Sequence, residues 1–175
     1  MTSARPDEIT LNRHRDLEGR SSEVWIRRGI LAALAVVPLL AVINLFGQRA
    51  TISTAAAGQG TLQVHAPRAV RPGLIYQAVF TIAAKSELKD AALVLHSEWV
   101  DGMTVNSIVP APVSETSQNG SVRLEVGRIA AGSHYKLFIY YQVNPTTFGR
   151  KSQAVELVDG NQVVGSINRT MTVYP

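Results

Sequence analysis

The stretch "LIYQAVFTIAA", residues 74–84, decides the fold, because its side chains alternate between two sets with a period of two. A strand with this sequence places Tyr76, Ala78, Phe80 and Ile82 on one face, and Ile75, Gln77, Val79 and Thr81 on the other. An Arg-Pro-Gly turn signal precedes it at residues 71–73. The pattern therefore predicts a β-strand that belongs to a larger sheet.

Similar runs follow along the chain at spacings of about 8–12 residues, the longest being "HYKLFIYYQV" at 134–143. Turn signals separate them at Asp101-Gly102, Asn119-Gly120 and Asp159-Gly160. No long segment with helical periodicity intervenes after residue 60. We therefore expect residues 61–175 to form an all-β domain, an antiparallel β-sandwich of about seven to nine strands.

The phrases "RPGLIYQAVFTIAAKSELKDAALVLHSEWVDGMTVNSI" and "VGRIAAGSHYKLFIYYQV" together resemble bacterial extracellular immunoglobulin-like repeats, over residues 61–143. The spacing of Gly127, Ile129, Gly132 and Leu137 matches a glycine-hydrophobic signature of those repeats. The resemblance implies an immunoglobulin-like sandwich and a cell-adhesion-type surface module. The chain is also similar to small single-pass membrane proteins of actinobacterial type, a similarity that implies no activity.

An apolar segment of 18 residues, 29–46, contains no charged side chain. As a helix it would be about 27 Å long, close to the thickness of bilayer hydrocarbon. We expect it to be a transmembrane signal-anchor helix. Arg27 and Arg28 directly precede it, so the positive-inside rule predicts a cytoplasmic N-terminus and an extracytoplasmic C-terminal domain. Trp25 stands where an interfacial anchor is expected.

Cleavage of the N-terminal segment is the alternative to anchoring. The triplet Ala55-Ala56-Ala57 has the small-residue pattern of a signal-peptidase site, and cleavage after Ala57 would release the C-terminal domain. The apolar segment is, however, longer than the usual signal-peptide core, and the triplet lies well beyond its end. We therefore expect the anchor to be retained.

The remaining segments have compositions that predict little structure. Residues 1–28 carry mixed charges and few large apolar side chains, which is typical of a disordered tail, here on the cytoplasmic side. Residues 47–60, "GQRATISTAAAGQG", are small and polar, and they indicate a flexible linker.

Residue types that carry chemistry are sparse and scattered. The chain has no cysteine, and the net charge of +4 is not gathered into a basic patch, so thiol chemistry is excluded and nucleic-acid binding is not expected. His65, His96 and His134 fall in different predicted strands, and His96 with Glu98 lacks a third metal ligand. We expect no enzyme activity, cofactor or metal.

Aromatic side chains concentrate on both faces of residues 134–143 and in the loop that follows. The loop from Asn144 to Lys151 is longer than a hairpin requires, and it would present Phe148 beside two cations. We predict a partner-contact site with five members: Tyr141, Asn144, Phe148, Arg150 and Lys151. A second interpretation places Phe148 as a plug of the sandwich end.

The sequence thus predicts a membrane-anchored extracytoplasmic binding or accessory module. Its expected partners are the lipid bilayer and another membrane or envelope protein, in particular a polytopic one. Two alternatives stay open, a released immunoglobulin-like module cut near Ala57 and a carbohydrate-binding domain.

Overall fold

The computed structural model describes residues 21–42 and 48–175, and the chain divides into two compact units, Met1–Leu45 and Phe46–Pro175. In the first unit, helix α1 spans Ser21–Val42. Residues 22–42 have a mean hydropathy of 1.8, so the helix is long and apolar enough to cross a membrane. It starts before the predicted residue 29, while the predicted end at 43–46 and most of the predicted disordered tail lie outside the described residues.

The second unit is a β-sandwich of two sheets, so the predicted all-β, immunoglobulin-like fold is confirmed. Sheet I has the strand order β1-β2-β4-β9-β6, and sheet II has the order β3-β11-β10-β5-β8-β7. The strands are β1 (Ala50–Ala56), β2 (Gly60–Pro67), β3 (Ala69–Val70), β4 (Ile75–Ala84), β5 (Leu88–Leu95), β6 (Met103–Val109), β7 (Ser114–Gln118), β8 (Ser121–Ile129), β9 (His134–Val143), β10 (Gly149–Asp159) and β11 (Gln162–Val173).

The eleven strands within residues 48–175 exceed the predicted number, because β1 lies in the predicted linker and the two-residue β3 was not expected. All neighbouring strands pair antiparallel except β3 and β11, which pair in parallel through Thr172↔Ala69 and Val173↔Val70. A single turn of 3-10 helix, Ser97–Trp99, follows β5.

The core lies between the sheets because one face of each central strand is apolar. On β4 the predicted division into two faces is confirmed, and the set that faces inward is Tyr76, Ala78, Phe80 and Ile82, all buried. The aromatic centre of this core is Trp99, whose ring centroid lies 5.2 Å from that of Phe80 and 5.9 Å from that of Tyr141. Burial of one such large side chain stabilises the fold by about 1.5–3 kcal/mol. The chain has no cysteine, so apolar burial stabilises the sandwich without the help of a disulfide.

The predicted linker is wrong over residues 50–56, because these residues form the edge strand β1 of sheet I. The strand pairs with β2 along its whole length, from Ala50↔Pro67 to Ala56↔Thr61. Ala55 and Ala57 pack against the core, and the Cβ of Ala55 lies close to Gly165 of sheet II. The small side chains that suggested a linker are therefore what lets this edge approach the opposite sheet.

This strand yields a prediction for the stability of the sandwich. A fragment of residues 58–175, which lacks β1, is expected to melt about 5 °C or more below a fragment of residues 48–175. The reason is that loss of β1 exposes the hydrogen-bonding edge of β2 and the apolar contacts of Ala55 and Ala57. Thermal unfolding followed by circular dichroism measures the difference. Equal melting temperatures would show that β1 adds nothing to the fold.

Candidate functional site

The predicted contact loop connects β9 to β10 over residues 144–148 only, because residues 149–151, which were predicted to belong to it, are the first residues of β10. The loop is held by hydrogen bonds from both of its ends. The backbone N–H of Asn144 donates to the carbonyl oxygen of Gly102 at 3.0 Å, and the hydroxyl of Thr147 donates to the same oxygen at 3.0 Å. The hydroxyl of Thr104 donates to Asn144 Oδ1 at 2.9 Å. These hydrogen bonds hold the loop against the turn at Asp101-Gly102. The loop therefore has a defined conformation.

The five predicted contact residues have different environments. Tyr141 is fully buried and stacks on Tyr76, so its prediction as a contact residue is wrong. Its position on β9 alternates with the outward Phe138 and Tyr140. The sequence showed this alternation but not which face was inward, because both faces carry aromatic rings.

The other four residues surround the loop. The polar side chain of Asn144 holds the loop in place, as described above. Lys151 Nζ donates to Asp101 Oδ2 at 2.6 Å and is largely shielded from solvent. Arg150 and Phe148 are exposed. Phe148 in particular is 63% exposed, so its interpretation as a plug of the sandwich end is wrong.

Two substitutions compare what the exposed ring of Phe148 and the turn at Gly102 contribute to the free energy of unfolding. Phe148→Ala is expected to change the free energy of unfolding by less than about 0.5 kcal/mol, since the ring contributes little to the core. Gly102→Ala is expected to lower it by about 2 kcal/mol or more, because a Cβ there would lie 2.5 Å from Thr147 Oγ1 at a φ of +72°. Chemical denaturation measures both. A large loss with Phe148→Ala would place that ring in the core after all.

A second surface, the outer face of sheet I, was not predicted from the sequence. Cross-strand pairing aligns one outward residue from each strand into a row across the sheet, in the order Ile52, His65, Val79, Phe138 and Val109. The two ends of the row are the most open, Ile52 being 61% and Val109 51% exposed. The row therefore presents four large apolar side chains on one continuous sheet surface.

The outer face of sheet I is also free of carboxylates. None of its five strands contains Asp or Glu, whereas β5, β7, β8 and β10 of sheet II all do. Beside the apolar row, Gln77 Nε2 donates to the hydroxyl of Tyr140 at 2.5 Å. Lys136, exposed opposite Thr81, is the cation on this face beside the row. An apolar centre with polar neighbours that lack carboxylates is typical of protein interfaces. The available sequence signal was the outward set of residues 74–84, which contains Ile75 and Val79 as well as polar residues.

A polar layer is buried between the sheets. Arg169 of β11 is only 3% exposed, and its Nη2 donates to the carbonyl oxygens of Ala66 at 2.9 Å and Pro67 at 2.7 Å. Its guanidinium carbon lies 5.8 Å from the ring centroid of Trp99. Burial, with a smaller contribution from Arg68, lowers the pKa of Arg169 to about 10. The layer joins sheet II to sheet I, and its contacts are structural.

The tyrosines beside this layer are shifted in the direction that burial dictates. Burial raises the pKa of Tyr76 well above its ordinary value, and a hydrogen bond from Gln153 only partly offsets that effect. Burial also raises the pKa of Tyr141, and the neighbouring Tyr76 adds to the rise. Ionisation of either side chain therefore opposes folding.

This leads to a prediction for alkaline titration. An unfolded tyrosine ionises near pH 10, and the folded Tyr76 and Tyr141 do so only at higher pH, so stability falls as pH rises above 10. Of the five tyrosines in the chain, these two should ionise only as the protein unfolds. Absorbance of tyrosinate, recorded together with circular dichroism, tests the expectation. Ionisation of all five near pH 10 with the fold intact would contradict it.

Histidine and carboxylate side chains do not converge on a metal site. Within residues 21–42 and 48–175, no group of three or more His, Asp or Glu side chains could hold a metal ion. His96 Nε2 lies 3.5 Å from Glu156 Oε1, and Glu98 accepts a hydrogen bond from the backbone N–H of Ser152. The predicted residues His96 and Glu98 are thus used in contacts with β10.

The predicted topology residues lie on helix α1. Trp25 is exposed, and the guanidinium carbon of Arg28 lies 5.5 Å from the centroid of its ring. Arg27 is exposed in the same turn. An aromatic ring with cations beside it suits the headgroup layer of a membrane, while the orientation of the helix stays a prediction.

No protein family and no curated protein matches the chain. Among solved structures, it is similar to CaCohA2 from Clostridium acetobutylicum, with 16% identity, a TM-score of 0.44, and coverage of 59% of this chain and 83% of that one. It is also similar to the human F-spondin reeler domain, with 12% identity, a TM-score of 0.40, and coverage of 68% and 91%. Similarity at this level carries no functional inference, and the strand order itself defines the fold.

Proposed function

We propose that the chain is a single-pass membrane protein whose β-sandwich is an extracytoplasmic module that binds another protein. The observation that carries the proposal is the carboxylate-free outer face of sheet I with its apolar row. Helix α1, with a mean hydropathy of 1.8, supports the anchoring. We propose a binding role and not a catalytic one, in keeping with the resemblance to extracellular immunoglobulin-like repeats and to actinobacterial-type single-pass proteins.

Retention of the anchor is supported by the position of the alanine triplet. Ala55 and Ala56 belong to strand β1, and Ala57 accepts and donates backbone hydrogen bonds with Gly60 in the turn to β2. Cleavage after Ala57 would remove the whole of β1 from the sandwich. A released module would therefore lack an edge strand, and the proposal keeps the N-terminal segment attached.

The outer face of sheet I is proposed as the protein-docking surface because its chemistry suits an interface core. A docked partner would remove Ile52, Val79, Phe138 and Val109 from water, and full burial of one such side chain contributes about 1.5–3 kcal/mol. The partner's complementary surface would be apolar and would not rely on cations that need carboxylate partners.

The partner is proposed to be another membrane or envelope protein, in particular a polytopic one. Only seven residues, 43–49, lie between the last residue of α1 and the first of β1. Even fully extended, seven residues reach about 25 Å. With α1 in a membrane, a tether of this length keeps the sandwich near the bilayer surface, where the external loops of membrane proteins are the available ligands.

A charge placed in the apolar row tests the proposed docking face. Val109→Lys, alone or with Ile52→Lys, is expected to weaken partner capture by the full-length, detergent-solubilised protein by about tenfold or more, because docking would bury an unpaired ammonium. Both positions are more than half exposed, so the melting temperature should be unchanged. Quantitative mass spectrometry of the captured proteins measures the loss.

The matched control is Val113→Lys, which introduces the same change at a valine outside the strands of sheet I. Val113 is exposed, and its backbone N–H donates to the backbone carbonyl oxygen of Glu125 in sheet II. This variant should capture the same proteins as the wild type. Equal capture by all variants would exclude sheet I as the docking face.

A further inference from the structure

One end of the sandwich, here called the tether end, contains the residue where the chain enters from α1. Ala50, the first residue of β1, pairs with Pro67 at the end of β2. The loop from Asn144 to Phe148 lies at the same end, because β4 and β9 pair with Ile75 opposite Gln142. The opposite end is formed by turns such as Ala130–Ser133.

Backbone hydrogen bonds and strand pairing join several segments at the tether end. Val143 donates to the carbonyl oxygen of Leu74 at 3.0 Å, and the contact loop leads from Val143 to Gly149. Gly149 pairs with Val173, and the next residue, Tyr174, donates to Val70 at 3.0 Å. Loop and terminal segments that are far apart in sequence are thus fixed side by side.

Four large apolar side chains are exposed at the tether end: Leu74, Ile75, Phe148 and Tyr174. Leu74 and Phe148 lie in the loops before β4 and β10, Ile75 begins β4, and Tyr174 follows β11, so the four do not form one flat face like the row on sheet I. Separate apolar side chains that protrude from one end can enter a soft, disordered layer more readily than they can match a rigid surface.

Cations accompany these apolar side chains. Arg68, Arg71 and Arg150 are exposed at this end. Of the nearby carboxylates, Asp101 is neutralised by Lys151 Nζ at 2.6 Å, whereas Glu98 accepts from the neutral backbone N–H of Ser152 and keeps its negative charge, so three exposed arginines face one uncompensated carboxylate. The tether end therefore carries an excess of positive charge, which matches an anionic surface.

We propose that the tether end of the sandwich docks on anionic lipid headgroups, with Phe148 and its apolar neighbours entering the interfacial layer. This inference rests on the membrane anchoring proposed above. The covalent tether of seven residues brings Ala50, and with it this end, to the bilayer surface. Peripheral membrane proteins contact the bilayer through exposed apolar side chains with basic side chains beside them. Membrane contact leaves the outer face of sheet I open for a protein.

Site-directed labelling of the full-length chain tests this docking. Since the chain has no cysteine, Thr146→Cys provides a single attachment point for a nitroxide in the exposed contact loop. Ala131→Cys provides the matched control in an exposed turn at the opposite end. Each labelled protein is reconstituted in vesicles of phosphatidylcholine alone or mixed with an equal amount of phosphatidylglycerol. Accessibility to oxygen, which concentrates in the bilayer, and to a water-soluble nickel chelate is then measured.

In the mixed vesicles the label at position 146 is expected to be open to oxygen and protected from the nickel chelate, while the label at 131 shows the reverse. The double substitution Arg71→Gln and Arg150→Gln should shift the equilibrium away from the docked state by about 25-fold, about fivefold for each arginine. Phe148→Ser should also expose the label. High salt should act as the arginine substitutions do.

Three outcomes would overturn the proposal, and they differ in meaning. A label at 146 that stays aqueous in both vesicle types, in protein that floats with the vesicles, refutes lipid docking and leaves the anchor intact. Failure to float with the vesicles refutes the anchoring itself. Protection from both reagents in native membranes but not in vesicles would show that a protein, and not lipid, covers the loop.

Discussion

The guanidinium of Arg169 is the contact on which the arrangement of the two sheets depends. It extends from β11 of sheet II to the carbonyl oxygens of Ala66 and Pro67, which belong to sheet I. A buried cation is costly to desolvate, so its loss of hydration must be offset by these two bonds and by the ring of Trp99. The interaction therefore favours the relative position of the sheets in which Ala66 and Pro67 lie within reach of Arg169.

That fixed arrangement gives the sandwich two outer faces with different chemistry. Sheet II carries charged residues on most of its strands, as expected of a face that stays in water. Sheet I carries hydroxyls, amides, Lys136, His65 and an apolar row without one carboxylate. An exposed apolar row of this kind is in keeping with the protein-docking role proposed above.

The sequence predicted those features that depend on a local pattern of side chains. It did not predict those that depend on contacts between segments distant in sequence. The alternation at 74–84 predicted the correct pairs of faces because strand side chains alternate whatever the surroundings. Strand β1 was missed because the small and polar composition of residues 47–60 suggested a linker, although Thr51, Ile52 and Thr54 favour a strand, and pairing with β2 supplies the order. The sequence left two environments open for Phe148, an exposed contact and a plug, because its exposure follows from Thr147 and Asn144 turning towards Gly102. The apolar row was missed because it combines residues from five strands.

Strand β1 also has a mechanical consequence. Its hydrogen bonds to β2 run perpendicular to the strand, and its first residue is the point at which the tether is attached. If a bound partner is drawn away from the membrane, tension is applied along β1, and its seven residue pairs with β2 resist together in shear rather than opening one after another. A seemingly weak edge strand would then act as a clamp, able to transmit force between a ligand and the bilayer.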